Sequence, residues 1–474
     1  MDLVISVGGG GQHIALAVAR LLRLGALAEP MEAYVLDADG DGRLGTRLRT
    51  FGNTVSAGCP HPLPGASVVV PPFARDTLRE TAFRRLFLDE RADPLARELF
   101  ELFYDEESGG VDGGVGVNAG VDVGKGMFAN PSVGSAVFAA SKAGAMEPLF
   151  GHARTAARIF VVGSFLGGTG AGITHQLIKL LREAVGPAKP IFGSFLLRWF
   201  ELPPSGGQTV DTATLLASMG HGLEYFYAHT RPLLDASLLV GVPDHPTPQL
   251  RAVPAAPDND ESPSLYPLLA AYGLLLLPEK TDVQARATHR TYGLAHDEQS
   301  PAWPLERAWS LPKGARDASL GARLVEAQVL EEVYASFRQK ESDFVSAGYE
   351  RARSTWATTF AAAAKEAHEK DAVFARRVLQ ALEARAAQLH VATEWFAAIF
   401  GDADLAAFGE RRARELHALR RQRRWRAPDA FRLFADAFVF ETASGVDAAR
   451  AAQLPAEAAM AWKIERALLA AMRS

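Results

Sequence analysis

Ile159-Phe160-Val161-Val162 runs into Gly163-Ser164-Phe165-Leu166-Gly167-Gly168-Thr169-Gly170-Ala171-Gly172, after which Ile173 to Glu183 reads as a helix. A buried strand, a glycine-rich turn and a helix in that order bring backbone N–H groups and the positive end of a helix dipole to one point, a layout suited to an anion. The chain contains this unit twice. Leu3 to Val7 leads into Gly8-Gly9-Gly10-Gly11-Gln12-His13, and Ile14 to Leu24 continues as a helix. Two such units in one sheet can grip a polyphosphate from two sides.

Working outward, Tyr34 to Leu36, Ile191 to Leu197 and Ser237 to Val242 read as further buried strands. Their alternation with helical stretches predicts a parallel α/β sheet. The segment from about 50 to 120, with its acidic and aromatic stretch Glu98 to Glu107 and glycine run Gly109 to Gly120, reads as insertion and loop. Beyond about Lys280 the sequence turns Ala-, Arg- and Glu-rich. Val325, Val329, Leu330, Val333, Tyr334 and Phe337 recur there at amphipathic-helix spacing, so residues 281–474 are expected to form a mainly helical C-terminal domain.

Two common phosphate fingerprints fail. G-x-G-x-x-G counted from Gly8 meets His13 where Gly or Ala belongs, and counted from Gly9 it meets Ile14. The Gly124-Lys125 pair has Ala119 and Gly126 where Walker A needs Gly and Ser or Thr. A nicotinamide-dependent dehydrogenase is thereby disfavoured.

Residues 166–172, L-G-G-T-G-A-G, resemble the G-G-G-T-G-[ST]-G signature of the tubulin/FtsZ superfamily, with Leu166 and Ala171 departing from it. The first loop is similar to V-G-G-G-G-G-N, with His13 in place of Asn. Gly124-Lys125-Gly126-Met127-Phe128-Ala129-Asn130-Pro131-Ser132-Val133-Gly134 is similar to G-L-G-A-G-A-N-P-E-V-G. Asp37-Ala38-Asp39 stands where N-T-D is expected, Phe200-Glu201 resembles F-E-G, and Val242-Pro243-Asp244 resembles I-P-N. The likeness covers roughly residues 1–280 and points to a divergent bacterial tubulin-like protein.

The resemblance implies a Rossmann-like GTPase domain over 1–280 that binds GTP or GDP with Mg2+. Phosphate contacts would fall to Gly9, Gly10, Gly11, Gln12, Gly126, Met127, Phe128, Ala129, Asn130, Gly167, Gly168, Thr169, Gly170 and Ala171. Ribose and base contacts would fall to His13, Glu201, Asp244 and Asn259, and waters of the metal ion to Asp37 and Asp39. Several residues keep a plainer reading beside this one. Asn259 beside Asp260 suits a turn near Pro263 and Pro267, prolines that interrupt a helical pattern. Asp37 and Asp39 suit an Asp-Gly turn, and Lys125 suits a solvated loop.

The N-x-D-x-x-D pattern with which this family completes its neighbour's site does not follow Leu277. Glu279 and Asp282 are the nearby acids, as catalytic candidates or as an ion-paired surface loop. Two functions stay open: head-to-tail assembly with slow GTP hydrolysis at a shared interface, or a non-polymerising nucleotide-dependent scaffold or switch whose helical domain holds a protein partner.

The whole composition suits either. The chain has 474 residues, 48% hydrophobic and 22% charged, enough for a sizeable core. A net charge of -5 gives no general attraction for nucleic acid or acidic membranes. The local run Arg420, Arg421, Arg423, Arg424, Trp425 and Arg426 can pair phosphates and stack on bases, but more commonly such a run is a solvated or partner-facing helix end. The single cysteine, Cys59, suits a reducing compartment. With no leader or membrane-length apolar run in view, the expected location is the cytoplasm.

Overall fold

The computed structural model describes residues 2–23, 31–37, 131, 134, 135, 138, 146–199, 212–241, 265–280, 290–293, 327, 330, 331, 334, 376, 377, 379–387, 389, 390, 394, 395, 461 and 465. The chain divides into two compact units. The first comprises Met1–Ala19, Glu29–Gly52 and Ala66–Pro301, and the second Arg20–Ala28, Asn53–Gly65 and Ala302–Ser474.

The first unit is built on a six-stranded sheet. Its strands are β1 (Asp2–Val7), β2 (Met31–Leu36), β3 (Ile159–Ser164), β4 (Ile191–Leu196), β5 (Ala236–Val240) and β6 (Arg290–Gly293), in the order β2-β1-β3-β4-β5-β6. Every pairing is parallel, with Val7 opposite Leu36, Leu3 opposite Ile159 and Ser164 opposite Leu196. The helices are α1 (Gly8–Arg23), α2 (Glu147–Thr155), α3 (Gly168–Val185), α4 (Thr212–Tyr225) and α5 (Leu265–Lys280). A π-helical turn, Phe226–Thr230, and a short 3-10 turn, Arg231–Leu233, lead from α4 into β5.

Strands β1, β3, β4 and β5 are buried at every position, as a parallel sheet covered on both faces requires. Successive side chains alternate between the faces. Leu3, Ile5, Val7, Tyr34, Ile159, Val161, Ile191 and Phe195 pack with Leu149 of α2, Ile173, Leu177 and Leu181 of α3, and Phe226. On the other face Val35 meets Ala15 and Leu16 of α1, and Ser194 Oγ donates to Ala270 O of α5 at 2.7 Å.

Two features differ from the sequence reading. The sheet extends past residue 280 through β6, whose Arg-Thr-Tyr-Gly sequence carries no apolar run. Pro267 does not interrupt α5, because it is the third helical residue, where the missing N–H has no intrahelical acceptor to lose. The expected insertion over 50–120 lies outside the described residues. No described helix is long and apolar enough to cross a membrane.

Helix α3 is fastened along its length. The Arg182 guanidinium donates to Leu233 O (2.7 Å) and Lys189 O (2.7 Å) and pairs with Asp235, whose carboxylate also accepts from Ile191 N at 2.7 Å. Midway, His175 stacks on Phe165 with a centroid separation of 5.4 Å, and its Nδ1 lies 2.9 Å from Thr230 Oγ1. Burial pushes its imidazole down to about 4.

In the second unit the described residues of 327–465 are helical. Arg385 and Glu465, each 1% exposed, form a bidentate pair at 2.9 and 3.0 Å, and Tyr334 OH donates to the same carboxylate at 3.2 Å. Arg20 lies over the Trp395 ring at 4.3 Å.

Two stability outcomes follow. Unfolded histidine takes up its proton near the ordinary value of 6.5 and folded His175 only near 4, so the unfolded chain binds more protons between these values. Stability is therefore full above about pH 6.5 and falls by up to about 3 kcal/mol as pH drops to about 4. Denaturant titrations across that window should show this slope, and His175→Phe should remove it. Glu465→Ala, which takes the shared carboxylate from a buried guanidinium, should cost about 3–5 kcal/mol by the same measurement.

Candidate functional site

The connection leaving β1 goes to β2 on one side, and the connection leaving β3 goes to β4 on the other. Their carboxyl ends therefore bound the crevice where open α/β sheets bind ligands. Both glycine segments lie there. A Cβ on Gly8, whose φ is +67°, would stand 2.8 Å from Gly170 N and 3.2 Å from Thr169 Cβ, so the starts of α1 and α3 abut.

Both helices begin earlier than expected, at Gly8 rather than Ile14 and at Gly168 rather than Ile173. Three of these glycines are helical residues pressed against strands. A Cβ on Gly10 would lie 2.5 Å from Ser164 Cβ, one on Gly11 2.7 Å from Val162 O, and one on Gly170 2.5 Å from Ser164 O. At Gly9 and Gly167 the surrounding space is open, and Gly167 holds φ +129°. Neither helix has an acid in its first turn, and the cap residue Gly167 has no side chain to bond the first N–H groups of α3. Such an end favours an anion.

Ser164, which the sequence reading passed over, joins the parts. Its hydroxyl donates to Leu196 O at 3.1 Å and accepts from Leu166 N at 3.0 Å, while its backbone and Cβ take the close approach of Gly10 and Gly170. Thr169 and Ala171 are both buried.

The end of the third glycine-containing segment docks on α3. A Cβ on Gly172 would collide with Pro131 O and stand 2.7 Å from Ser135 N, and one on Gly134 would stand 2.5 Å from Gly168 O. Ser135 Oγ donates to Gly172 O (2.8 Å), and Gln176 Nε2 donates to Ser135 Oγ (3.1 Å). Gly126, Met127, Phe128, Ala129 and Asn130 lie outside the described residues.

At the end of β2, Asp37 is buried and accepts from Gln12 Nε2 at 2.5 Å. The carboxylate fixes which end of the carboxamide faces it. Gln12 Oε1 is then a buried acceptor without a hydrogen-bond partner among the described residues. The Gln12 side chain thus turns to Asp37, leaving its backbone to the helix. His13, half-buried one turn after Gly9, meets Trp199 edge-on with centroids 4.9 Å apart. Trp199 was not singled out in the sequence, although it directly precedes Phe200-Glu201.

Asp39, Glu201, Asp244, Asn259 and Asp282 lie outside the described residues. Glu279 falls in the last turn of α5 rather than after the helix.

No protein-family model matches the chain, and no curated protein matches it. Among solved structures it is similar to CetZ2 from Haloferax volcanii, a GTPgS-bound protofilament. The identity is 17% and the TM-score 0.31, over 61% of this chain and 64% of that one.

Two glycine substitutions should separate packing from ligand approach. Gly170→Ala drives a Cβ into the Ser164 carbonyl and should cost about 3 kcal/mol in thermal or chemical denaturation. Gly9→Ala meets open space on a helix and should leave stability unchanged or raise it by up to about 1 kcal/mol.

Proposed function

We propose that this chain binds a guanine nucleotide, GTP or GDP, with its phosphates in the crevice between β1 and β3, as a tubulin/FtsZ-like protein. The observation that carries this reading is the meeting of two acid-free, glycine-started helix N-termini at the switch point of a parallel sheet. A buried, unpartnered Gln12 Oε1 in the second turn of α1 is an independent mark of a missing donor.

A hydrated Mg2+ fits that mark. The Asp37 carboxylate and Gln12 Oε1 are both oxygen acceptors, and waters on a divalent cation are donors that would satisfy them. These two residues would hold the hydrated ion, and its charge would offset that of the phosphates. The choice of guanine rests on the sequence resemblance alone, since the glycine segments can hold the phosphates of any nucleotide.

From the same resemblance, the protein assembles head to tail and hydrolyses GTP slowly, with Glu279 or Asp282 of one subunit orienting water at the next. One feature favours a second reading, a non-hydrolysing scaffold or switch whose helical region binds a protein partner. The sequence around the end of α5 lacks the paired acidic pattern of the hydrolysing members, and Glu279 is part of the helix.

The nucleotide released on denaturing the purified protein should be GTP or GDP. Labelled GTP should bind in a magnesium-dependent way, with ATP a poorer competitor. Gly9→Val should weaken binding tenfold or more in a protein whose folded fraction is unchanged. Absence of binding by the wild type would end the proposal, and equal competition by ATP would remove guanine from it. Phosphate release measured across a protein dilution series decides between the two readings: specific activity rising with concentration supports the shared site, and tight binding without release supports the switch.

A further inference from the structure

We infer that Trp199 is the positioning residue for the nucleoside half of this site, holding the His13 imidazole as a flat surface on which a purine stacks, whichever groups its edge carries. The inference rests on the nucleotide reading above and adds how the base is held.

Gly9 and His13 are four residues apart on α1 and so stand on one face, about 6 Å apart along the axis. At Gly9 that face is open. A ligand whose phosphate meets the first N–H groups of α1 and whose remainder runs along this face brings its sugar and base to His13. The ring there is only half-buried.

Trp199 is 2% exposed, so it acts on a ligand through His13 and not by contact. The two rings meet at 67°, an edge-to-face arrangement that sets the imidazole plane against the indole. Trp199 comes from the carboxyl end of β4, beyond β3 in the sheet, and reaches back to α1. An asparagine at position 13, as the resemblance would have it, reads the edge of a base by hydrogen bonds. A ring held in place offers its π-face, and stacking is tolerant of base identity.

The test compares affinities of the full-length chain and its variants for GTP, inosine triphosphate and inorganic tripolyphosphate, by titration calorimetry. Trp199→Leu and His13→Ala should each weaken GTP and inosine triphosphate by the same factor, about tenfold, and leave tripolyphosphate unchanged. Trp199→Phe should retain most of the wild-type affinity. A parallel fall for tripolyphosphate would make Trp199 merely structural and overturn the inference. So would a loss confined to GTP, which would mean edge reading. If Trp199→Leu does not fold, His13→Ala at its half-buried position decides by the same comparison. A wild type that binds tripolyphosphate but neither nucleotide overturns this inference and leaves the phosphate crevice standing. One that binds none of the three overturns the nucleotide reading itself.

Discussion

Two helix starts can share one crevice here because Gly8 and Gly170 lack a side chain. With even a methyl group on Gly8 the carbon would stand 2.8 Å from a backbone nitrogen of α3, and no rotamer relieves a contact between main chains. The rest of the site inherits this constraint. Ser164 sits beneath both helices, tied to β4 through Leu196 O. The packed glycines around it, Gly10 and Gly170, are the positions at which α1 and α3 lie against its Cβ and carbonyl. Where the helices stop pressing on the sheet, at Gly9 and Gly167, the space opens outward. The same residue type therefore serves two purposes in this crevice, close packing inside and clearance outside.

That division explains what could and could not be read from the sequence. The strands were legible because a parallel sheet covered on both faces demands unbroken apolar runs, and Leu3 to Val7 or Ile159 to Val162 have few other uses. The meeting of the glycine segments followed from their position after such strands. Helix starts were misplaced by six residues at α1 and five at α3, because glycine in sequence signals a loop. In this fold the cost of glycine in a helix is offset by the approach it allows. β6 was missed because Arg290-Thr291-Tyr292-Gly293 carries no apolar run, and α5 was doubted because a proline in a first turn looks the same in sequence as one in a helix interior.

Long-range polar contacts were not legible at all. Gln12 and Asp37 are 25 residues apart, and Ser135 and Gly172 are 37 apart, and nothing in either local sequence names the partner. Trp199 falls in the same class, since its contact with His13 depends on how far the end of β4 reaches across β3. What the sequence supplied was each side chain's chemistry. The fold supplied the pairings, and with them which end of the Gln12 amide is held by a carboxylate.

The fastening of α3 has a mechanical consequence. Its first turns are gripped by Gly134 and Ser135, its middle by His175 on Thr230, and its last turn by the Arg182 fan onto Leu233, Lys189 and Asp235. A beam clamped at three points along its span is stiff, and shifting it would break several bonds at once. Among the described residues, the first turn of α1 meets its strand side at Gly10 and Gly11 and abuts Thr169 and Gly170 of α3 at Gly8, with clearance at Gly9. The start of α1 meets this beam main chain to main chain at Gly8 and Gly170, so a push on one jaw of the crevice is passed to a helix that is itself held at three points.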